Sequence, residues 1–300
     1  MASKPSQGRI TVPSIAHRKP SLGLGSRIVA LTAYDYSFAR LIDSSEEVDI
    51  VLVGDSLGSV IQGHDTTLPV TLDEMIYHCK AVVRGTSHAL VVGDLPFLSY
   101  QTSPEQAIES AGRLLKEGGV SAVKLEGGVY MEETISRLCR VDIPVMGHVG
   151  LTPQSYHRMG GHKVQGRGVG NSANASSLSA QRVLEDAHAV EQAGAFAIVL
   201  EGIPEELAEE VTSQLSIPTI GIGAGVHCDG QILVTHDMLG LSMNFSPKFV
   251  KRYAELGEQL HQAVCDYATD VKGGDFPASE HSFSEMRGAQ VKQKTRLEMV

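Results

Sequence analysis

The 300-residue chain has no tryptophan, and only 8 Tyr and 7 Phe. Its core must therefore be aliphatic, and it lacks the aromatic platform on which single-stranded nucleic-acid bases stack. Cysteine is scarce as well. The four present are Cys79, Cys139, Cys228 and Cys265; none sits in a CxxC pair and their spacings match no zinc signature. They read as reduced thiols of a cytoplasmic protein. Positive charge is in short supply: 25 Lys and Arg against 35 Asp and Glu give a formal net charge of −10. That balance excludes a broad nucleic-acid surface, which needs clustered cations. It does not exclude an anionic substrate, because one local lysine or a metal ion decides that. No apolar run approaches the roughly 20 residues that cross a bilayer. The opening stretch, MASKPSQGRITVPSIAHRKP, lacks the apolar segment of a secretory signal. It is basic and free of acids, which keeps organellar import as an alternative to a cytoplasmic location.

What is present in quantity is ordinary globular material, 42% hydrophobic and 20% charged. The length fits one or two domains at about 150 residues each, or one (β/α)₈ barrel of about 250. Short apolar runs recur along it: RIVALTA (27–33), DIVLVG (49–54), ALVVG (89–93), SAVKL (121–125), IPVMG (143–147), FAIVL (196–200), IPTIGIG (217–223) and QILVTH (231–236). Near-continuous Val/Ile-rich runs mark strands buried on both faces, as in parallel sheets. Helical stretches lie between them, such as 104–117 and 181–193. The first opens Ser103-Pro104-Glu105, with Ser as N-cap and Pro at the first helical position. Eight such units closing on themselves make a single α/β (β/α)₈ barrel. A doubly wound open sheet is the alternative; the barrel is preferred because eight units fill the length without a second domain.

The expected organisation is an extension over 1–26, the barrel over 27–271 and a tail over 272–300. Between strands seven and eight there is room for one helical turn or none. The glycine-rich and Ser/Asn-rich segment from about 151 to 180 shows no clean period and reads as a long loop, either a lid or a surface insertion. A helical pattern returns over 247–271.

Barrel enzymes carry their chemistry at the C-terminal ends of the strands. The ends of these runs give Asp55 and Ser56, Asp94, Lys124 and Glu126, His148, Glu201, a glycine run (Gly221, Gly223, Gly225), and His236 with Asp237. Lys124 and Glu126 are two apart on one strand and share a face, toward the lumen, while Val123 and Leu125 face the helices. Any one acid after a strand can be a helix cap. Four acids with one lysine at one mouth repel each other unless a cation is present. Mg²⁺ suits that need, with Asp55 and Asp94 as direct ligands and Glu126 direct or through water. His148 reads as either a core histidine or a substrate contact, and His64 lies on a polar loop. The glycine run lacks the GxGxxG spacing and suits close packing or approach to a substrate. A metal ion with open positions suits a bidentate 2-oxo acid: the ion acts as Lewis acid, Lys124 adds charge beside the developing oxyanion, and Glu201 moves a proton.

The stretches LTAYDYSFA, VGDSLG, QGHDTTLPVT, DLPF, VKLEGG, GHVGLTPQS, KVQGRG, GIGAG, DGQILVTHD and EHSF, in order from about residue 27 to 284, resemble the ketopantoate hydroxymethyltransferase family. The resemblance implies a barrel of the phosphoenolpyruvate/pyruvate type. It also implies transfer of a one-carbon unit from 5,10-methylenetetrahydrofolate to 3-methyl-2-oxobutanoate, giving 2-dehydropantoate. It assigns Asp55, Asp94 and Glu126 to one Mg²⁺ per subunit, Asp55, Ser56, Asp94 and Lys124 to the oxo acid, and Glu201 to the role of proton acceptor. It further implies a homodecamer, with no nucleic-acid or membrane partner. Two other readings are an Mg²⁺-dependent lyase of the isocitrate lyase or phosphoenolpyruvate mutase type, and a non-catalytic barrel that binds a small acid. The first is disfavoured because no KKCG-like loop is present; the second has no use for a proton acceptor.

Overall fold

The structure is a computed structural model that describes residues 8–19, 26–167, 173–242 and 247–283, with backbone alone at 173–177. Eight parallel strands close into a barrel in sequence order: β1 Ile28–Thr32, β2 Ile50–Val53, β3 Leu90–Asp94, β4 Ala122–Lys124, β5 Val145–Gly150, β6 Ala197–Glu201, β7 Thr219–Ile222 and β8 Gly230–Leu233. β1 pairs with both β2 and β8, which completes the circle. Side chains alternate between two buried layers. Ile50, Leu52, Leu90 and Val92 fill the lumen, while Val51, Val53 and Val91 pack under the helices. Burial on both faces explains why these strands read as unbroken apolar runs.

The crossover segments carry helices α2 Tyr36–Asp43, α3 Leu57–Val60, α4 Leu72–Gly85, α5 Pro104–Arg113, α6 Glu132–Arg140, α7 Tyr156–Met159, α8 Ala173–Gln192 and α9 Glu205–Gln214; α10 Thr235–Met238 and α11 Leu256–Gly273 follow β8. Local chemistry sets several starts. Ser103 accepts from the Gln106 N–H at the head of α5, and Thr71 and Glu74 form a reciprocal capping box on α4. The stretch expected as one helix over 104–117 changes winding: α5 ends at Arg113 and a π-wound turn, Leu114–Gly118, finishes it before Gly119 at φ 78°. No helix separates β7 from β8.

Two expectations need correction. The segment 151–180 is not one long loop. It holds a 3₁₀ turn, Pro153–Ser155, then α7, and α8 begins at Ala173 rather than near 181. Ser and Asn blur the apolar period there, but Ala and Leu favour helix and no Gly or Pro interrupts 173–192. The helix expected from 247 starts only at Leu256. The residues before it tie back onto the turn after β8, where the Tyr253 and Leu256 amides donate to the Met238 and Leu239 carbonyls.

The N-terminal end of the barrel is closed by the chain before β1. In α1, Val12–Ala16, Ile15 is fully buried in the lumen cluster. Lys19 Nζ lies 3.0 Å from Asp229 Oδ2, Arg18 reaches Asp49, and the Ile10 amide donates to the His88 carbonyl. Asp49, His88 and Asp229 all stand at the starts of strands, so the opposite end is left for chemistry.

Candidate active site

The strand ends bring a compact set of ionisable groups to that C-terminal mouth. Asp94 and Lys124 are the last residues of β3 and β4 and are register partners. Lys124 Nζ sits 2.6 Å from Asp94 Oδ1, with the side chains 7% and 3% exposed. The other oxygen, Asp94 Oδ2, accepts the Asp55 backbone N–H at 3.1 Å. Glu126, just past β4, is buried beside them, and Val123 and Leu125 face the outer layer as the alternation requires.

The electrostatics follow from crowding. Burial, reinforced by Asp94, pushes the Asp55 carboxyl up to about 7, with Lys124 and the Gln154 amide opposing. Burial, with Asp55 next, holds the Glu126 carboxyl well above the usual range. For Lys124 burial works against charge, but Asp94, Glu126 and Asp55 outweigh it and keep the ammonium protonated. Three carboxyl groups thus share one cation in a dry pocket, a deficit that a divalent ion would correct. Among the described residues no group of three or more His, Cys, Asp or Glu is preformed as a metal cage. An oxygen-only, incomplete donor set of this kind fits Mg²⁺, which takes one or two carboxylates and fills its remaining positions with water and substrate oxygens.

Glu201, the last residue of β6, joins the group through His148 on β5. His148 Nε2 is 3.2 Å from Glu201 Oε2, and Nδ1 is 3.6 Å from Glu126 Oε1. Neither ring nitrogen makes a well-formed hydrogen bond. Burial, with Lys124 next, lowers the affinity of His148 for a proton; Glu201 opposes this. Glu201 is the most open of the acids, 19% exposed at its side chain. An open carboxylate beside a buried cluster of acids and one lysine can exchange a proton with a bound substrate while Lys124 meets negative charge on that substrate.

Ser56 lies at the rim, its Oγ 2.8 Å from the hydroxyl of the buried Tyr34. His64 is exposed, with Glu74 among its charged neighbours. His236 and Asp237 belong to α10 rather than to β8, and His236 stacks on Phe38 at 5.3 Å. The glycine run is a packing device: a Cβ on Gly221 would meet Cys228 Sγ at 2.9 Å, and one on Gly225 would meet Glu205 Cγ at 2.4 Å.

Sequence reading passed over Gln154 and Tyr100. Gln154 reaches Asp55 and Glu126, and the Tyr100 hydroxyl, 2.7 Å from Gln154 Oε1, also accepts the Glu126 N–H. The available signal for Gln154 was its place, a Thr-Pro turn directly after β5, which aims the following side chain back at the mouth.

A closed parallel barrel with acids and a lysine gathered at its strand ends defines a (β/α)₈-barrel enzyme. Solved structures agree on the fold. A phosphoenolpyruvate phosphomutase from Streptomyces platensis subsp. rosaceus has a TM-score of 0.57 at 14% identity, covering 96% of this chain and 99% of that one. A 2,3-dimethylmalate lyase of the PEP mutase/isocitrate lyase superfamily has a TM-score of 0.53 at 16% identity, covering 91% and 92%. Sequence is more specific. Residues 9–279 match the family model of ketopantoate hydroxymethyltransferase. The 3-methyl-2-oxobutanoate hydroxymethyltransferase of Trichlorobacter lovleyi is 56% identical over 276 residues, 92% of this chain and 99% of that protein. The chain belongs to the ketopantoate hydroxymethyltransferase family.

Proposed function

We propose that this chain transfers a one-carbon unit from 5,10-methylenetetrahydrofolate to 3-methyl-2-oxobutanoate, with Mg²⁺ as its metal ion. The observation that carries the reading is the Asp55–Asp94–Lys124–Glu126 cluster with Glu201 across His148, in a chain of this family. Asp55 and Asp94 would hold the ion, with Glu126 direct or through water. When bound, Mg²⁺ supplies Lewis-acid polarisation of the 2-oxo acid, which acidifies its C3–H. Lys124 keeps a fixed positive charge beside the oxygen that becomes negative. The Ser56 hydroxyl contacts the oxo acid at the rim. Glu201, or a water it orients, takes the C3 proton. The electron pair left on C3 forms the new bond to the methylene carbon of the folate; one water is consumed, and tetrahydrofolate and 2-dehydropantoate leave.

A homodecamer completes the reading. Its support is apolar surface that one copy leaves open along α11: Leu260, Val264, Tyr267 and Val271 are all exposed. Among the described residues no helix is long and apolar enough to cross a membrane. The direct test is product formation by NMR from the two substrates, with Mg²⁺ and with EDTA. We expect 2-dehydropantoate only with the metal, and its loss in Asp94→Ala. Normal turnover in Asp94→Ala would overturn the metal assignment, and absence of product with Mg²⁺ would overturn the activity.

A further inference from the structure

Gln154 is a hub whose side-chain amide and backbone N–H are all in use. Its Nε2 donates to Asp55 Oδ2 at 3.0 Å and to the Leu95 carbonyl at 2.9 Å. Its Oε1 accepts from the Tyr100 hydroxyl at 2.7 Å and from Gln101 Nε2 at 3.0 Å. Its backbone N–H donates to Glu126 Oε2 at 3.0 Å. One residue from the turn after β5 therefore holds an oxygen of each of two acids that come from β2 and β4. The residue is 7% exposed, so water does not substitute freely for these partners.

The amide has one possible orientation. A flip would set Oε1 against the Leu95 carbonyl and the Asp55 carboxylate, neither of which can donate when the acid is ionised. It would also set the NH₂ against Gln101 Nε2. Gln101 cannot turn to compensate without losing the contact of its own Oε1 with the Tyr100 backbone N–H. Fixed donors of this kind set the rotamer of a carboxylate and leave its other oxygen for a ligand. Outer partners that do this to metal ligands typically govern affinity by 10–100-fold.

We propose that Gln154 is a positioning residue for the metal ion: it presents Asp55 and Glu126 in the ligating orientation and so sets the protein's affinity for a divalent cation. Tyr100 acts behind it, fixing the amide. The proposal rests on the metal reading of the preceding section and is tested without turnover.

The experiment is Mn²⁺ titration of the full-length protein, followed by electron paramagnetic resonance of free Mn²⁺, for the parent chain and for Gln154→Met, Gln154→Asn and Tyr100→Phe. Met keeps similar volume and removes the donors. We expect Gln154→Met to raise the Mn²⁺ Kd 10–100-fold, and Tyr100→Phe, which leaves Gln101 in place, to raise it less. A purely structural role would lower the Tm and leave the Kd of the folded protein unchanged. A Kd within twofold of the parent in a folded Gln154→Met chain overturns the proposal. Should that variant fail to fold, unchanged Kd values in both Gln154→Asn and Tyr100→Phe overturn it equally. Absence of Mn²⁺ binding by the parent chain would instead overturn the metal reading itself.

Discussion

Lys124 and Asp94 form an ion pair of 2.6 Å between adjacent strands, with both side chains almost wholly out of water. Such a pair is no bargain for stability, since two desolvated charges give back in attraction about what burial takes. Its value is a cation fixed where an oxyanion can be met. Lys124→Met should therefore reduce kcat by roughly 100–1,000-fold, the cost of removing one such donor. It should also destabilise the fold, because Asp94 is left buried without its partner; removing one member of a buried pair costs about 3–5 kcal/mol. Steady-state kinetics at saturating Mg²⁺ and thermal unfolding check both. A variant with parent-like kcat would move the cation's role elsewhere.

Glu201 is separable from the metal cluster, which it meets across His148. Glu201→Gln keeps size and hydrogen-bonding reach but cannot accept the proton. Turnover should drop by about 10²–10⁴-fold, the usual worth of a positioned general base. Mn²⁺ affinity should stay within a few-fold of the parent. Loss of metal binding in that variant would place Glu201 among the ligands instead.

The Asp55 carboxyl, raised from 3.8 to about 7 in the metal-free protein, ties stability and metal binding to pH in opposite senses. The folded chain binds more protons at this group than the unfolded chain between those two values. Its contribution to metal-free stability is therefore lost as pH rises through that window. Metal binding needs the ionised form, so Mg²⁺ affinity should fall by up to about tenfold per pH unit below about 7. Isothermal titration calorimetry at pH 6, 7 and 8 tests this; an affinity flat across that range would show that Asp55 is already ionised without the ion.

At the other end of the barrel, Ile15 is fully buried in the lumen cluster that also holds Ile28, Ile50, Leu90 and Ile220. Ile15→Ala should cost about 2–5 kcal/mol of stability, as buried aliphatic truncations do. Below the unfolding range, kcat and both KM values should hold, because Ile15 lies at the starts of the strands and the chemistry at their ends. A selective rise in a KM would contradict that division.

Much of this architecture was legible in the sequence because burial on both faces writes parallel strands as apolar runs. The period of two also placed Lys124 and Glu126 on the lumen side correctly. The segment that became the start of α8 hid its helix because its Ser and Asn residues carry no apolar stripe. The stretch 247–255 misled in the other direction: backbone amides at Tyr253 and Leu256 tie it back to the Met238 and Leu239 carbonyls, and its apolar side chains Phe249 and Tyr253 stay exposed. Gln154 carried only a positional signal, for a different reason. An amide in a turn is usually a solvated one, and only the closed barrel shows that two acids and a tyrosine from three other strand ends converge on it. The link of Glu201 to Glu126 through His148 is likewise a product of strands lying side by side.

The most direct test of the central claim is exchange of the C3 proton of 3-methyl-2-oxobutanoate in D₂O, followed by NMR without any folate. The account predicts exchange that requires Mg²⁺, stops with EDTA and is lost in Glu201→Gln. Exchange that persists at the parent rate in EDTA, or in Glu201→Gln, would contradict it.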